Sequence, residues 1–112
     1  MNAIYARYSS HVQDRGTSID VQLESCRRLA GADAATYIDR AVTGTTMERE
    51  AFGRMMADAA VGRIHVLYVY RFDRFGRDAE AHRYIKMLES AGVRVVSTTE
   101  GEDPLTRGIH LV

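Results

Sequence analysis

Cysteine occurs once in the 112 residues, and no apolar run approaches the length of a membrane span. The lone Cys26 excludes an internal disulfide, so a reducing cytoplasm is the expected home. A bilayer-crossing helix needs roughly twenty consecutive apolar residues, and no window here comes near that. The N-terminus lacks a basic start followed by an apolar run, so no signal peptide is expected. Neither a Walker-type phosphate cradle nor a GxGxxG turn is present, which argues against a nucleotide cofactor. The four histidines are scattered and no His/Asp/Glu cluster has metal-ligand spacing, so no metal is expected. With 15 basic and 15 acidic residues the net charge is zero. That argues against a protein that holds nucleic acid by bulk electrostatic attraction.

What the chain does have is arginine: every basic residue except Lys86. A GC-rich genome produces such a bias unaided, so only the placement of particular arginines is informative. Otherwise the composition, 46% hydrophobic and 27% charged, is that of one ordinary globular domain with a modest core. There are no repeats, linkers or low-complexity stretches.

The apolar pattern alternates between strand and helix periods. Ala3 to Tyr8 reads as a first strand. Thr17-Ser18-Ile19-Asp20 then offers a hydroxyl to cap a helix whose buried stripe is Ile19, Leu23, Cys26 and Leu29 or Ala30. Cys26 on that stripe reads as a packed thiol. Ala35 to Asp39 makes a second strand, and Val42 to Thr46 a loop. A helix from about Glu48 to Ala60 buries Phe52, Met55 or Met56, and Ala59, and Gly62 ends it. Ile64 to Tyr70 is the strongest strand, nearly continuous in apolar residues as central parallel strands are. His65 within it reads as a packed or hydrogen-bonded residue at a strand end. Asp78 to Ala91 forms a helix with Tyr84, Ile85 and Leu88 inward, closed by Gly92, and Val93 to Thr98 a further strand. From Pro104 another helix begins and stops, so a fragment of a longer protein is expected. The order β-α-β-α-β-α-β implies an α/β fold in three layers, a mostly parallel sheet with helices on both faces. In such sheets the ligand site lies beyond the carboxyl ends of the strands.

Two stretches fall at that edge: Tyr5-Ala6-Arg7-Tyr8-Ser9-Ser10, and Arg71-Phe72-Asp73-Arg74-Phe75-Gly76-Arg77-Asp78. Strand alternation puts Arg7 and Ser9 on one side and Ser10 opposite. An arginine on a first strand is costly in a core unless it meets an anion. Arg74 and Arg77, three apart, would lie side by side if this turn enters a helix. Arg49 follows a glycine-containing loop. A serine hydroxyl among guanidinia suits attack on a phosphodiester, because their forks match phosphate oxygens and stay charged. With neither metal nor histidine beside it, such a nucleophile depends on cations to stabilise the pentacoordinate phosphate. The bland alternatives are a turn serine and solvated arginines paired with Asp73 and Asp78.

Together these segments resemble the catalytic domain of the serine site-specific recombinases, the resolvase/invertase and large serine integrase family. Tyr5-Ala6-Arg7-Tyr8-Ser9 looks like the YxRxS signature, and Ser18-Ile19-Asp20-Val21-Gln22 like the S-[IL]-x-x-Q segment. Thr45 to Phe52 is similar to the family's arginine-bearing loop-to-helix segment. Asp73-Arg74-Phe75-Gly76-Arg77 matches DRLxR with Phe for Leu. The resemblance implies that Ser9 is the nucleophile, forming a 5′-phosphoserine link to DNA. It implies that Arg7, Arg74, Arg77 and Arg49 surround the scissile phosphate, while Gln22 and Asp73 hold the site in shape. It further implies cleavage and rejoining of DNA at specific sites, without cofactor, by a homodimer or tetramer of a cytoplasmic bacterial or phage protein. Residues 1–112 would then be a catalytic domain cut before a long oligomerisation helix and DNA-binding domains, inactive in strand exchange alone. Glu100 to Val112 would be the approach to that helix. Two other readings stand beside this one: a non-catalytic recombinase-derived assembly or regulatory domain, and a small α/β anion-binding protein.

Overall fold

A computed structural model describes residues 1–8, 18–40, 49–76 and 78–102. Its centre is β1 (Asn2–Tyr8), where Ala3, Ile4, Tyr5 and Ala6 are all fully buried. Alternation sends Ala3 and Tyr5 into one apolar cluster and Ile4 and Ala6 into another, so both faces of the strand are covered. The second cluster is filled by α1 (Ile19–Ala30) through Ile19, Leu23 and Cys26. The first is filled by α2 (Glu50–Ala60) through Ala51, Phe52, Met55 and Ala59, and by α3 (Asp78–Ser90) through Ala81, Ile85 and Leu88. Three layers result, as the alternating pattern requires.

β2 (Ala35–Arg40) and β3 (Val66–Val69) flank β1 in parallel, and β4 (Arg94–Ser97) continues in parallel beyond β3. A fifth strand, β5 (Gly101–Glu102), pairs antiparallel with β4, giving the order β2-β1-β3-β4-β5. Gly101, at φ 86°, turns the chain back onto β4. Residues 103–112 lie outside the described residues, as does the loop expected at Val42 to Thr46.

Local chemistry accounts for most boundaries. Ser18 caps α1, its Oγ accepting from Val21 N–H at 3.3 Å. Of the two candidates closing the α1 stripe, Ala30 packs against the cluster and Leu29 is exposed. In α2 it is Met55 that is fully buried, with Met56 only partly so. The strand expected over Ile64 to Tyr70 narrows to four residues. Ile64 is buried ahead of it, while His65 continues the ladder only through its main chain, to Met1 C=O and Arg94 N–H. The His65 ring is hydrogen-bonded at this strand end, its Nδ1 2.9 Å from the N-terminal ammonium. Among the described residues, no helix is long and apolar enough to cross a membrane.

Candidate active site at the carboxyl edge of the sheet

β1 ends beside the segment following β3, and the arginines meet there. Beyond the last β1–β3 pair, Tyr5 with Val69, the main-chain groups of Arg7 bond to a side chain. The fully buried Gln22 of α1 accepts from Arg7 N–H at 3.2 Å and donates to Arg7 C=O at 3.0 Å. Gln22 thereby fixes the strand end that carries the Arg7 guanidinium.

After β3 the chain forms a 3₁₀ turn, Phe72–Phe75. Phe72 N–H donates to Glu100 Oε1 at 2.9 Å, tying the turn's start to the end of β4. The carbonyls of the turn receive guanidinium donors. Arg7 Nη2 donates to Asp73 O at 3.4 Å, and Arg49 donates from Nη1 to Phe75 O at 2.9 Å and from Nη2 to Arg74 O at 3.2 Å. Carbonyls at the end of a helical turn carry partial negative charge, so cations suit them; Asp73 O also accepts from Gly76 N–H at 3.1 Å. Gly76 then breaks the turn at φ 141°, where a Cβ would stand 2.6 Å from Glu80 Oε1 and 3.0 Å from Glu80 Cβ. The turn ends before Gly76, and α3 starts at Asp78; the expected pairing of Arg74 with Arg77 lies outside the described residues.

Arg74 is 5% exposed, with Nη1 3.7 Å from Asp73 Oδ1. Arg49 lies over Phe52, its guanidinium carbon 3.9 Å from the ring centroid, with the rings of Tyr5 and Tyr84 at 5.9 and 5.8 Å. Phe75, which stands where the DRLxR motif has Leu, stacks on Tyr5 at 6.1 Å and meets Phe52 edge-on at 6.0 Å. Arg49 thus sits against an aromatic floor that supplies cation–π attraction. Burial, then the positive charges of Arg49 and Arg74, lower the pKa of Arg7 below its ordinary value. A guanidinium in that position gains from an anion.

The structure brings Arg7, Arg49, Arg74, Asp73 and Gln22 together at this edge. Ser9, Ser10 and Arg77 lie outside the described residues. One residue escaped the sequence reading. Asp39, 5% exposed at the end of β2, accepts from Tyr5 Oη at 2.8 Å and from the N–H groups of Ala51 and Phe52 at 2.9 and 3.0 Å. Its carboxylate caps α2 from a neighbouring strand, which is why that helix starts at Glu50 with no side-chain cap of its own. Tyr5 passes the contact on, its Oη 3.5 Å from Arg49 Nη2. Burial chiefly raises the Tyr5 pKa, while Arg49 pulls it back. An aspartate closing a largely apolar strand was the available signal. Its partners lie 34, 12 and 13 residues away, so local pattern did not identify them. Among the described residues, no three His, Cys, Asp or Glu side chains come together to hold a metal ion.

Residues 2–110 match the family described as resolvase, N terminal domain. A putative DNA recombinase of Bacillus subtilis (strain 168) is 40% identical over 79 residues, 69% of this chain but 16% of that protein. The N-terminal catalytic domain of TP901-1 integrase superposes with a TM-score of 0.73 at 26% identity, covering 98% of this chain and 85% of that one. A resolvase family site-specific recombinase from Streptococcus pneumoniae shares the fold, with a TM-score of 0.75 at 23% identity over 96% of this chain and 80% of its own.

Proposed function

This chain belongs to the resolvase family, matching its N-terminal domain, and from that premise we propose that it is the catalytic domain of a serine recombinase. Ser9 is the nucleophile. Its Oγ forms a bond to phosphorus and gives up its proton, the bond from phosphorus to the 3′ oxygen breaks, and that oxygen leaves as a protonated hydroxyl. The product is a 5′-phosphoserine ester. It retains the free energy of the broken phosphodiester, so reversal with a new 3′ hydroxyl rejoins DNA without an added energy source.

The observation that carries this reading is the convergence of Arg7, Arg49 and Arg74 beside the end of β1, with Arg7 two residues before Ser9 in the sequence. Arg7, Arg74 and Arg77 contact the non-bridging phosphate oxygens and stabilise the charge that builds there. Arg49 adds to that field while holding the turn that carries Arg74. Gln22 and Asp73 keep the strand end and the turn in place. The substrate is DNA at specific recombination sites, and the parent protein acts as a homodimer or tetramer. That residues 1–112 form the catalytic part of a longer protein is supported by the recombinase relative, of which they span 16%.

The test uses the parent protein with DNA from the ends of its own element. Wild type and Ser10→Ala should form a covalent protein–DNA adduct and Ser9→Ala none. Arg74→Ala should slow adduct formation by about 10²–10³-fold, the size of effect seen when one charge-stabilising donor is lost. An adduct that persists in Ser9→Ala would sink the assignment. DNA bound and paired without any adduct would favour an assembly or regulatory role.

A further inference from the structure

The stretch carrying Arg74 holds another arginine that the proposed reaction leaves without a role. Arg71 joins β3 to the 3₁₀ turn in extended backbone (φ −144°, ψ 151°), and its side chain is 42% exposed at the carboxyl edge. Its Nε is buried and finds no hydrogen-bond acceptor among the described residues. The contacts it does make are loose. Asp73 Oδ2 lies 3.8 Å away and the Tyr70 ring centroid 6.0 Å from its guanidinium carbon. A charge-assisted hydrogen bond would be about 2.7–2.9 Å.

Asp73 is heavily shared. Its other oxygen faces Arg74 Nη1 at 3.7 Å, its main-chain oxygen takes Arg7 at 3.4 Å, and its side chain is 55% exposed. Glu100, the carboxylate at the start of the turn, is engaged by Phe72 N–H at 2.9 Å and the Ser97 hydroxyl at 2.8 Å. Two guanidinia, those of Arg71 and Arg74, therefore share one half-exposed carboxylate, while Arg7 bonds to the main-chain oxygen of the same residue. The Arg74 side chain is 6% exposed and that of Arg71 42%, so Arg71 lies nearer the surface, where a phosphate other than the one drawn in to Arg74 would meet it.

We propose that Arg71 is a DNA-contact residue that takes a backbone phosphate neighbouring the one attacked by Ser9. The contact is independent of base sequence, and it rests on the recombinase reading above. It places the DNA strand across the carboxyl edge, leaving Arg7 and Arg74 to the reacting phosphate.

Binding to recombination-site DNA is measured by anisotropy in the parent protein carrying Ser9→Ala, so that no covalent step contributes. Each phosphate contact adds about 0.9 to the slope of log K against log salt, so losing one weakens binding roughly eightfold at 0.1 M salt. Arg71→Gln is expected to show that loss and a slope smaller by about one. Arg71→Lys, which keeps the charge, should retain the slope. An unchanged slope and affinity in Arg71→Gln would overturn the proposal. So would a lowered melting temperature with the slope unchanged, because that is the signature of a purely structural pair with Asp73. Should Arg71→Gln not fold, Arg71→Met is read the same way. Failure of the Ser9→Ala protein itself to bind DNA overturns both this proposal and the reading beneath it. An adduct mapped to another residue removes the nucleophile assignment alone.

Discussion

Replacing Gln22 by leucine should loosen the strand end that presents Arg7, and the cost follows from the hydrogen bonds lost. The wild-type amide accepts from Arg7 N–H and donates to Arg7 C=O, in a position with no exposure to solvent. Leucine is close in size but leaves both main-chain groups without those bonds. Each buried polar group deprived of its partner costs about 1–3 kcal/mol. The added apolar surface returns about 1 kcal/mol. The net loss is about 3 kcal/mol, a large part of the 5–15 kcal/mol typical of a domain. With a urea m-value of about 1.5 kcal/mol/M, the unfolding midpoint should fall by about 2 M. Val21→Ala, at the exposed neighbouring position, should stay within about 0.5 kcal/mol of wild type. In the parent protein, Gln22→Leu should also slow adduct formation at saturating DNA by about tenfold or more, since small misplacements of a catalytic group are costly. A stability loss under about 0.5 kcal/mol, below a single ordinary hydrogen bond, would refute the positioning argument.

Asp39→Ala strands three donors, Tyr5 O–H and the N–H groups of Ala51 and Phe52, and should cost about 4 kcal/mol in urea unfolding. A loss below about 1 kcal/mol would show that water replaces the carboxylate. Burial pushes the Cys26 thiol up to about 12 from an ordinary 9.0. Between these values the unfolded chain releases the proton while the folded chain keeps it, so stability falls as pH rises through that window. Cys26→Ala should flatten part of that fall, and native Cys26 should react with a thiol reagent roughly a hundredfold or more slowly than the unfolded chain. Rapid labelling under native conditions would contradict the packing.

How far the sequence could be read depended on how local the deciding contacts are. The alternation of Ala3, Tyr5 against Ile4, Ala6 and the spacing of Ile19, Leu23 and Cys26 are periodic, so the layers and the parallel sheet were legible. So was the placing of Arg7, Asp73 and Arg74 at one edge, because each lies at or just after a strand end, whereas Gln22 was expected there only from the family resemblance. The pairing of Gly101–Glu102 with β4 was hidden, since two residues carry no period and only a left-handed glycine marks the turn. The separate 3₁₀ turn was hidden too. Only Gly76 marks its end, at a φ of 141° that other residues rarely adopt. Asp39 went unnoticed because its partners lie on other elements. The aromatic floor under Arg49 has the same cause: Tyr5, Phe52, Phe75 and Tyr84 are scattered along the chain and meet only in the fold.

The most direct test of the central claim is chemical. The parent protein is incubated with site DNA nicked so that the cut fragment diffuses away, the adduct is digested, and the modified peptide is sequenced by mass spectrometry. A nucleotide joined through phosphate to Ser9 by its 5′ end is the result expected. Attachment to any other residue, or through a 3′ phosphate, would contradict the proposed chemistry.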